Sequence, residues 1–244
     1  NSFYLRLTFV LTHKKGLTVA EDIKIELVCA TRVAKDDFLS KCATGVSLRR
    51  LNDARLMINL APENTCGLPE VYNSRISSDK DIVIFIHDDV WIDDYFFVDR
   101  IIEGLKNYDV IGVAGNRRRV SNQPGWPFVD ANWTWDDKSN LSGAVAHGQQ
   151  PFGPVSYFGP TPASCMLLDG VMLAANVAAL EKNNVSFDPR FNFHFYDLDF
   201  CRTAHNAGLC LGTWPICITH QSDGGFNSKG WKEMYETYLE KWGE

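Results

Sequence analysis

The sequence predicts an α/β fold with a mixed, mostly parallel sheet covered by helices on both faces. Strand-like and helix-like segments alternate along residues 23–115, which is typical of parallel strands joined by helical crossovers. The strand-like segments are also apolar without interruption, as in the run Ile82–Ile86, and such strands are buried on both faces. In open sheets of this kind, ligands bind beyond the carboxyl ends of the strands.

The first half of the chain supplies most of the predicted elements. Residues 1–12 have a strand-like composition of uncertain placement. Pro69 is compatible with a helix because proline is tolerated in the first turn. The predicted strands are 23–33, 54–61, 81–86 and 109–115, and the predicted helices are 35–51, 67–78 and 96–108.

The second half begins with a long segment of different character. Residues 115–162 are rich in proline and tryptophan and show little periodicity, so we expect a lid or binding loop. A buried strand that runs through Asp169 and Gly170 into a helix follows. A second helix is predicted from near Asp197 to Gly208, since glycine commonly ends helices. After this helix, the sequence predicts a strand that ends at His220, followed by a turn at "SDGGF".

The end of the chain, residues 226–244, is predicted to form an amphipathic helix. We expect its apolar face to pack on the rest of the domain. The alternative is docking on a partner or a membrane surface, and the acidic residues of the helix disfavour an anionic membrane. The apolar residues share one helical face: Trp231, Met234, Tyr235, Tyr238, Leu239 and Trp242.

The composition excludes several classes of protein. A chain with 45% hydrophobic and 22% charged residues is neither disordered nor fibrous. The net charge of −6 argues against a nucleic-acid partner, because no general basic surface can neutralise phosphates. The seven cysteines form no CxxC pair, so we expect reduced thiols and a cytoplasmic location, with peripheral association at the inner face of a membrane as a further expectation.

The segment "DIVIFIHDDVWIDD", residues 81–94, ends an apolar strand in adjacent carboxylates. Asp88 and Asp89 would repel each other there unless a cation or a proton intervenes. A divalent metal with open positions for water and phosphate oxygens would satisfy them. His220 ends another strand and is a candidate ligand, and an imidazole ligand favours Mn²⁺ over Mg²⁺.

Simpler interpretations exist for each of these residues. Asp88 and Asp89 could be solvated loop residues or caps of the next segment, and His220 could be an ordinary loop histidine. His87 is expected to be neither ligand nor support, because its side chain should alternate away from that of Asp88 if the strand continues.

The segment "FYDLDFCRTA" contains a second group of carboxylates. Asp197 could cap the helix, with Asp199 in its first turn and Arg202 as an ion-pair partner. Alternatively, one carboxylate points into the cleft and acts as a general base towards a hydroxyl group. The sequence contains no GxSxG elbow, P-loop, GxGxxG or HExxH motif that would indicate another chemistry.

Four segments in order resemble the landmarks of family 2 glycosyltransferases with the Rossmann-like GT-A fold, nearest to the bacterial glycosyltransferase-like branch. They are "HDDV", "LLDGVMLA", "FDPRFNFHFYDLDFCRTAHNAGL" and "ITH", and the resemblance covers about residues 23–225. It implies a single domain spanning 1–244, with a nucleotide-donor half (23–114), an acceptor and catalytic half (115–225) and the C-terminal helix (226–244).

The resemblance also implies roles for individual residues. Asp89 would be the main metal ligand, completed by His220, with Asp88 near the ribose or behind the metal. Asp197 would be the catalytic base, with Asp199 and Arg202 organising the helix start. The family's usual Asp-Asp-Gly-Ser is replaced by "INLAPENTCG", so no base-recognition pocket is assigned. The implied nucleotide- and donor-binding residues are Thr31, Arg32, Asn73, Asp88, Asp169 and Gly170.

The implied reaction is inverting transfer of a sugar from a nucleoside diphosphate, UDP favoured, to a hydroxyl group of a saccharide or glycoconjugate acceptor, as in polysaccharide biosynthesis. The implied cofactor is a divalent metal, Mn²⁺ favoured. Trp126, Trp133 and Trp135 would stack on the acceptor and exclude water, unless they are only core aromatics of a packed loop.

Two other functions are compatible with the same sequence. One is a catalytically silent, carbohydrate-binding or scaffolding relative of the same fold. The other is a nucleotidyltransferase, which also places carboxylate-bound metal beneath a nucleotide, although the expected basic, glycine-rich loop is absent from "CATRVAKDD".

Overall fold

The structure is a computed structural model that describes residues 23–76, 79–222 and 228–243. The strand-like segment predicted at residues 1–12 lies outside the described residues, as does most of the turn predicted at "SDGGF". All seven cysteines are described and free of disulfides, as expected from their spacing.

Short strands and helices alternate along the described chain. The strands are β1 (Ile25–Ala30), β2 (Leu56–Ala61), β3 (Ile82–Ile86), β4 (Val90–Ile92), β5 (Val110–Gly112), β6 (Ala114–Asn116), β7 (Leu141–His147), β8 (Val155–Gly159), β9 (Ala163–Ser164), β10 (Leu167–Leu168), β11 (Met172–Asn176), β12 (Leu211–Thr213) and β13 (Ile218–His220). The helices are α1 (Lys35–Lys41), α2 (Ala43–Leu51), α3 (Leu68–Ile76), α4 (Phe97–Gly104), α5 (Val177–Lys182), α6 (Tyr196–Asn206) and α7 (Lys229–Trp242).

The main sheet has the strand order β2-β1-β3-β11-β5-β12-β9. β1 is parallel to β2 and β3, and β5 is parallel to β12, whereas β11 and β9 run antiparallel to their neighbours. Five of its seven strands therefore point the same way. Every residue of β3 is buried, as its uninterrupted apolar sequence predicts. The predicted α/β class, with a mixed, mostly parallel sheet and flanking helices, is confirmed.

A second sheet has the strand order β10-β6-β7-β13-β4, and β8 pairs with β7 beside it. Segments predicted as single strands divide between the two sheets: 109–115 becomes β5 and β6, and the strand ending at His220 becomes β12 and β13. Apolar runs do not reveal such bends. Gly115 lies in β6 against β10, where a Cβ atom would lie 2.3 Å from the carbonyl oxygen of Leu167.

The helix predicted at 35–51 is two helices, α1 and α2, which are separated by Cys42 in an extended conformation. Gly45 lets them approach, because a Cβ atom there would lie 2.0 Å from the carbonyl oxygen of Phe38. The Thr44 hydroxyl of α2 lies 2.6 Å from the His87 carbonyl oxygen and 2.9 Å from that of Val90. Helix α2 therefore holds the turn that follows β3.

The segment 115–162 is more regular than the predicted loop, because it contains β7 and β8. Strand β7, "LSGAVAH", is built mainly from small residues that are nonetheless buried, so it lacks the Val/Ile signal used to predict strands. Strand β8 alternates between more and less exposed residues and pairs only with β7 among the described strands.

Helix α7 covers the start of α6. Trp231 and Tyr238 are buried, and the other residues of its apolar face pack partly buried against the core. The Phe195 ring lies 5.2 Å from both the Trp231 and the Tyr238 rings. The predicted packing of this face on the domain is confirmed. Among the described helices, none is long and apolar enough to cross a membrane.

Candidate functional site

A cavity of about 530 Å³ opens at the carboxyl end of β3. The strand ends and the start of α6 bring titratable groups to it from distant parts of the sequence. Its carboxylates are Asp88, Asp89, Asp169 and Asp197. Its histidines are His87, His147, His194 and His220.

Three of these residues form a cluster with the geometry of a metal site. His87, Asp89 and His220 each offer one ligand atom, and the three atoms lie within 4.8 Å of one another. Oδ1 of Asp89 lies 3.3 Å from Nε2 of His220, and this buried oxygen has no hydrogen bond of good geometry. Because Asp89 follows β3 and His220 ends β13, the two sheets together assemble the cluster.

The structure places His87 and Asp88 differently from the sequence interpretation. His87 contributes to the cluster, whereas Oδ2 of Asp88 accepts a hydrogen bond of 2.5 Å from the buried Thr31 hydroxyl. Residues 88 and 89 form a turn directly after β3, so the alternation of side chains along a strand does not extend through them, and Asp89 reaches the same cluster as His87. The expectation that His87 is neither ligand nor support depends on a strand that continues through Asp88, whereas β3 ends at Ile86.

Two residues of the cluster, His87 and Asp89, have shifted pKa values. Burial lowers the pKa of His87, because it disfavours the charged imidazolium. Burial alone would raise the pKa of Asp89, but the adjacent His220 and His87 imidazoles outweigh it and the pKa is lowered. At neutral pH these shifts favour a neutral imidazole and an ionised carboxylate, which are the forms that bind metal.

The donor set fits a divalent transition metal. Two imidazole nitrogens and one carboxylate oxygen suit Mn²⁺, Fe²⁺ or Zn²⁺ better than Mg²⁺, which prefers oxygen ligands. Three protein ligands would leave coordination positions open for water or a substrate oxygen. A cation held by this cluster would contact Oδ1 of Asp89 and Nε2 of His220, which lie 3.3 Å apart.

Asp197 lies at the cavity in the first turn of α6. Its pKa is raised to about 7, mainly by burial and next by the negative charge of Asp169. The backbone N–H of Gly170 donates to Oδ2 of Asp197 at 3.0 Å and holds that oxygen in place. A carboxylate with a pKa near neutrality can accept a proton from a substrate hydroxyl group.

Asp169 and Gly170 border the cavity as the resemblance implies. Oδ2 of Asp169 accepts a hydrogen bond of 2.8 Å from the Trp126 indole, and Oδ1 accepts one from the Val171 N–H. A Cβ atom at Gly170 would lie 2.5 Å from the Tyr196 hydroxyl and 2.8 Å from Cβ of Asp197, so only glycine allows this approach.

The structure adds residues that the sequence reading did not assign. The Tyr196 hydroxyl lies 2.8 Å from Nε2 of His87 and donates to the Gly170 carbonyl oxygen at 2.8 Å. His147 pairs with His220 in the register of β7 and β13. A histidine following strand-like residues could have drawn attention to His147, but Tyr196 beside two aspartates carries no such signal.

The three tryptophans of the 115–162 segment occupy different environments. Trp126 is buried and held by Asp169. Trp135 is 55% exposed at the cavity mouth, where its ring stacks on Phe158 at 6.1 Å and an interplanar angle of 15°. Trp133 packs against Trp231 of α7 at 4.9 Å.

Four other predicted site residues are not among those that line the cavity. The Asn73 side chain bonds both the N–H and the carbonyl oxygen of Phe187, so it connects α3 to the later loop. Asp199 is fully buried and lies 2.6 Å from Nζ of Lys241. Arg202 stacks over the Trp242 ring at 4.1 Å. Arg32 is exposed.

The charge of the cavity is distinctive. Among its described lining residues, none is a lysine or an arginine. Four carboxylates and four histidines provide the ionisable groups. An anionic ligand would therefore depend on a metal ion or protonated histidines for charge neutralisation.

Comparisons with known proteins yield only distant structural similarities. No protein-family model matches the chain, and none of the curated proteins matches it. A mannosyltransferase from Pyrobaculum calidifontis in complex with GDP-Man and Mn²⁺ is 13% identical, with a TM-score of 0.46 over 87% of this chain and 62% of its own. The catalytic domain of Drosophila β1,4-galactosyltransferase 7 in complex with xylobiose is 12% identical, with a TM-score of 0.45 over 88% and 79%. A protein from STIV is 10% identical, with a TM-score of 0.46 over 85% and 98%. At these levels of similarity, the function must be argued from the site itself.

Proposed function

We propose that the protein is a metal-dependent glycosyltransferase of the GT-A type, which transfers a sugar from a nucleoside diphosphate to a hydroxyl group of a saccharide or glycoconjugate with inversion. The observation that carries the proposal is that a candidate metal site and a candidate general base face one cavity. The His87–Asp89–His220 cluster and Asp197, with its pKa of about 7, both face it.

Asp197 is the proposed general base. Its ionised carboxylate accepts the proton of the acceptor hydroxyl group as that oxygen attacks the anomeric carbon. The Gly170 N–H donates to Oδ2 at 3.0 Å and fixes the carboxylate at the cavity. The charge of Asp169 raises the affinity of Asp197 for the proton, which makes Asp197 a stronger base than an exposed carboxylate.

His87, Asp89 and His220 are the proposed metal ligands, with Mn²⁺ favoured over Mg²⁺ because imidazole suits transition metals better. When bound, the metal supplies positive charge that stabilises the departing diphosphate. The absence of lysine and arginine from the described lining makes this charge essential for binding. We infer that Asp88, positioned by Thr31, contacts the nucleotide side of the donor, for which UDP is favoured.

Aromatic residues of the cavity lining form the proposed acceptor site. Trp135 and Phe158 form a partly exposed stacked pair at the cavity, and stacked aromatic rings offer flat apolar surface to a sugar face. Trp126, Trp135 and Phe158 would also limit water at the reacting carbon, which protects the donor from hydrolysis.

Calorimetric titration with UDP, GDP, CDP and TDP tests the proposal, each with and without Mn²⁺. We expect one nucleotide, with UDP favoured, to bind at least about 100-fold more tightly with Mn²⁺, a difference of about 2.7 kcal/mol. The Asp89→Asn variant should lose this enhancement. The matched control is Asp99→Asn, a carboxylate change at an exposed position of α4, which should retain it. Equal nucleotide affinity with and without metal in the native protein would contradict the proposal.

A catalytically silent carbohydrate-binding domain is the second candidate. The lack of basic residues in the described lining and the predominance of aromatic side chains favour a neutral saccharide ligand over a diphosphate. Such a domain would bind oligosaccharides with or without metal and would release no nucleoside diphosphate from any nucleotide sugar. Detection of metal-dependent diphosphate release would exclude it.

A further inference from the structure

The Tyr196 hydroxyl connects the metal cluster to the segment that holds the proposed base. Tyr196 is 3% exposed, and its oxygen lies 2.8 Å from Nε2 of His87 and 2.8 Å from the carbonyl oxygen of Gly170. The ring is fixed by its neighbours, with Tyr72 at 5.9 Å and Phe187 at 5.9 Å. Its hydroxyl therefore cannot turn away to solvent.

Counting protons fixes the direction of these two hydrogen bonds. A neutral phenol has one hydrogen, and a carbonyl oxygen can only accept. If the phenol donates to Gly170, its oxygen must accept from the N–H at Nε2 of His87. The reverse arrangement, with the phenol donating to His87, would leave the Gly170 carbonyl without this donor, and unpaired buried carbonyl groups are costly.

We propose that Tyr196 is a positioning residue that holds His87 in its Nε2–H tautomer, so that Nδ1 is the nitrogen presented to the metal. This inference rests on the proposed metal site but names a residue and an atom that the proposed function does not require. Hydrogen bonds to the distal nitrogen of a histidine ligand set its tautomer and ring orientation, and their removal typically weakens metal binding by about 10–100-fold.

The same hydroxyl couples the metal site to Asp197. The Gly170 carbonyl oxygen accepts from Tyr196, while the Gly170 N–H donates to Asp197. Gly170 thus connects Tyr196, which contacts His87, to the proposed base Asp197. The close approach requires glycine, because a Cβ atom at Gly170 would lie 2.5 Å from the Tyr196 oxygen.

The Tyr196→Phe variant removes only the hydroxyl oxygen and keeps the ring packing. We expect its Mn²⁺ affinity, measured by calorimetry without nucleotide, to fall by about 10–100-fold. Tyr238→Phe is the matched control, since Tyr238 is also a buried tyrosine, and its hydroxyl accepts from Arg202 rather than from the cluster. That variant should bind Mn²⁺ as tightly as the native protein.

A second measurement reads the tautomer directly and needs no metal. Long-range proton–nitrogen correlation spectra of ¹⁵N-histidine-labelled, metal-free protein, with His87 assigned from a His87→Gln variant, should show the Nε2–H form in the native protein and a mixture in Tyr196→Phe. If the native protein binds no Mn²⁺, the metal site is refuted, whichever tautomer His87 adopts. Unchanged Mn²⁺ affinity in Tyr196→Phe, or a native His87 protonated at Nδ1, would overturn the role of Tyr196.

Discussion

Replacing Asp197 by asparagine should stabilise the protein at alkaline pH while abolishing sugar transfer. Burial and Asp169 raise the pKa of Asp197 from 3.8 to about 7 in the folded protein. A carboxyl group with a raised folded-state pKa favours folding most below its unfolded pKa, and that contribution is lost as the pH rises through the folded pKa. Near pH 8 the ionised Asp197 therefore opposes folding, whereas a neutral amide does not.

The magnitude follows from the pKa shift. A shift from 3.8 to about 7 corresponds to roughly 4 kcal/mol at about 1.4 kcal/mol per pH unit. Asp197 is only half-buried, and solvent screening reduces the effect, so we expect Asp197→Asn to gain about 2 kcal/mol near pH 8. For a chain of this size that gain raises the melting temperature by roughly 4–8 °C.

Thermal unfolding of the native protein and Asp197→Asn across pH 4 to 8 measures the effect. The gain should be largest near pH 8 and vanish near pH 4. Asp136→Asn is a control of opposite sign, because Arg118 lowers the pKa of the buried Asp136 despite the opposing effect of burial, and its loss should destabilise the protein most at neutral pH. A gain for Asp197→Asn that does not change with pH would refute the raised pKa.

Three further predictions follow from the same contacts. The transfer rate should rise with pH to a plateau above about pH 7 as Asp197 ionises, and Asp169→Asn should move the midpoint of the pH–rate profile downward. Lys241→Ala should lower the free energy of unfolding by about 3 kcal/mol in denaturant titrations, because it leaves the fully buried Asp199 without its nearest cation. A decrease in the free energy of unfolding below about 1 kcal/mol would contradict the importance of that ion pair. Gly170→Ala should reduce both Mn²⁺ affinity and transfer, since a Cβ atom there meets the Tyr196 hydroxyl and Asp197; an unchanged Mn²⁺ affinity would argue against that crowding.

The fold class could be predicted because its signal is local and repeated. Apolar runs such as Ile82–Ile86 are visible in the sequence and become buried strands. The division of 109–115 between two sheets could not be predicted, because it follows from pairing of β5 and β6 with different strands that are distant in sequence. Strand β7 was missed because its small, buried residues give no β-branched signal.

The candidate site could be predicted only in part. The sequence pointed to Asp89, Asp197 and His220, and the structure places all three at one cavity, although their roles remain predictions. The place of His87 in the cluster could not be predicted, because the strand ends at Ile86 and residues 88 and 89 form a turn. Tyr196 could not be found, since its function depends on two contacts separated by 109 and 26 residues in the sequence.

Anomalous diffraction from crystals grown with Mn²⁺ and UDP tests the central claim most directly. We predict an anomalous peak at the Mn absorption edge in the cavity, within about 2.3 Å of Nδ1 of His87, the Asp89 carboxylate and a ring nitrogen of His220, with the diphosphate of UDP completing the coordination. A peak bound to Asp88 instead of His87, or no peak in this cavity at saturating Mn²⁺, would contradict it.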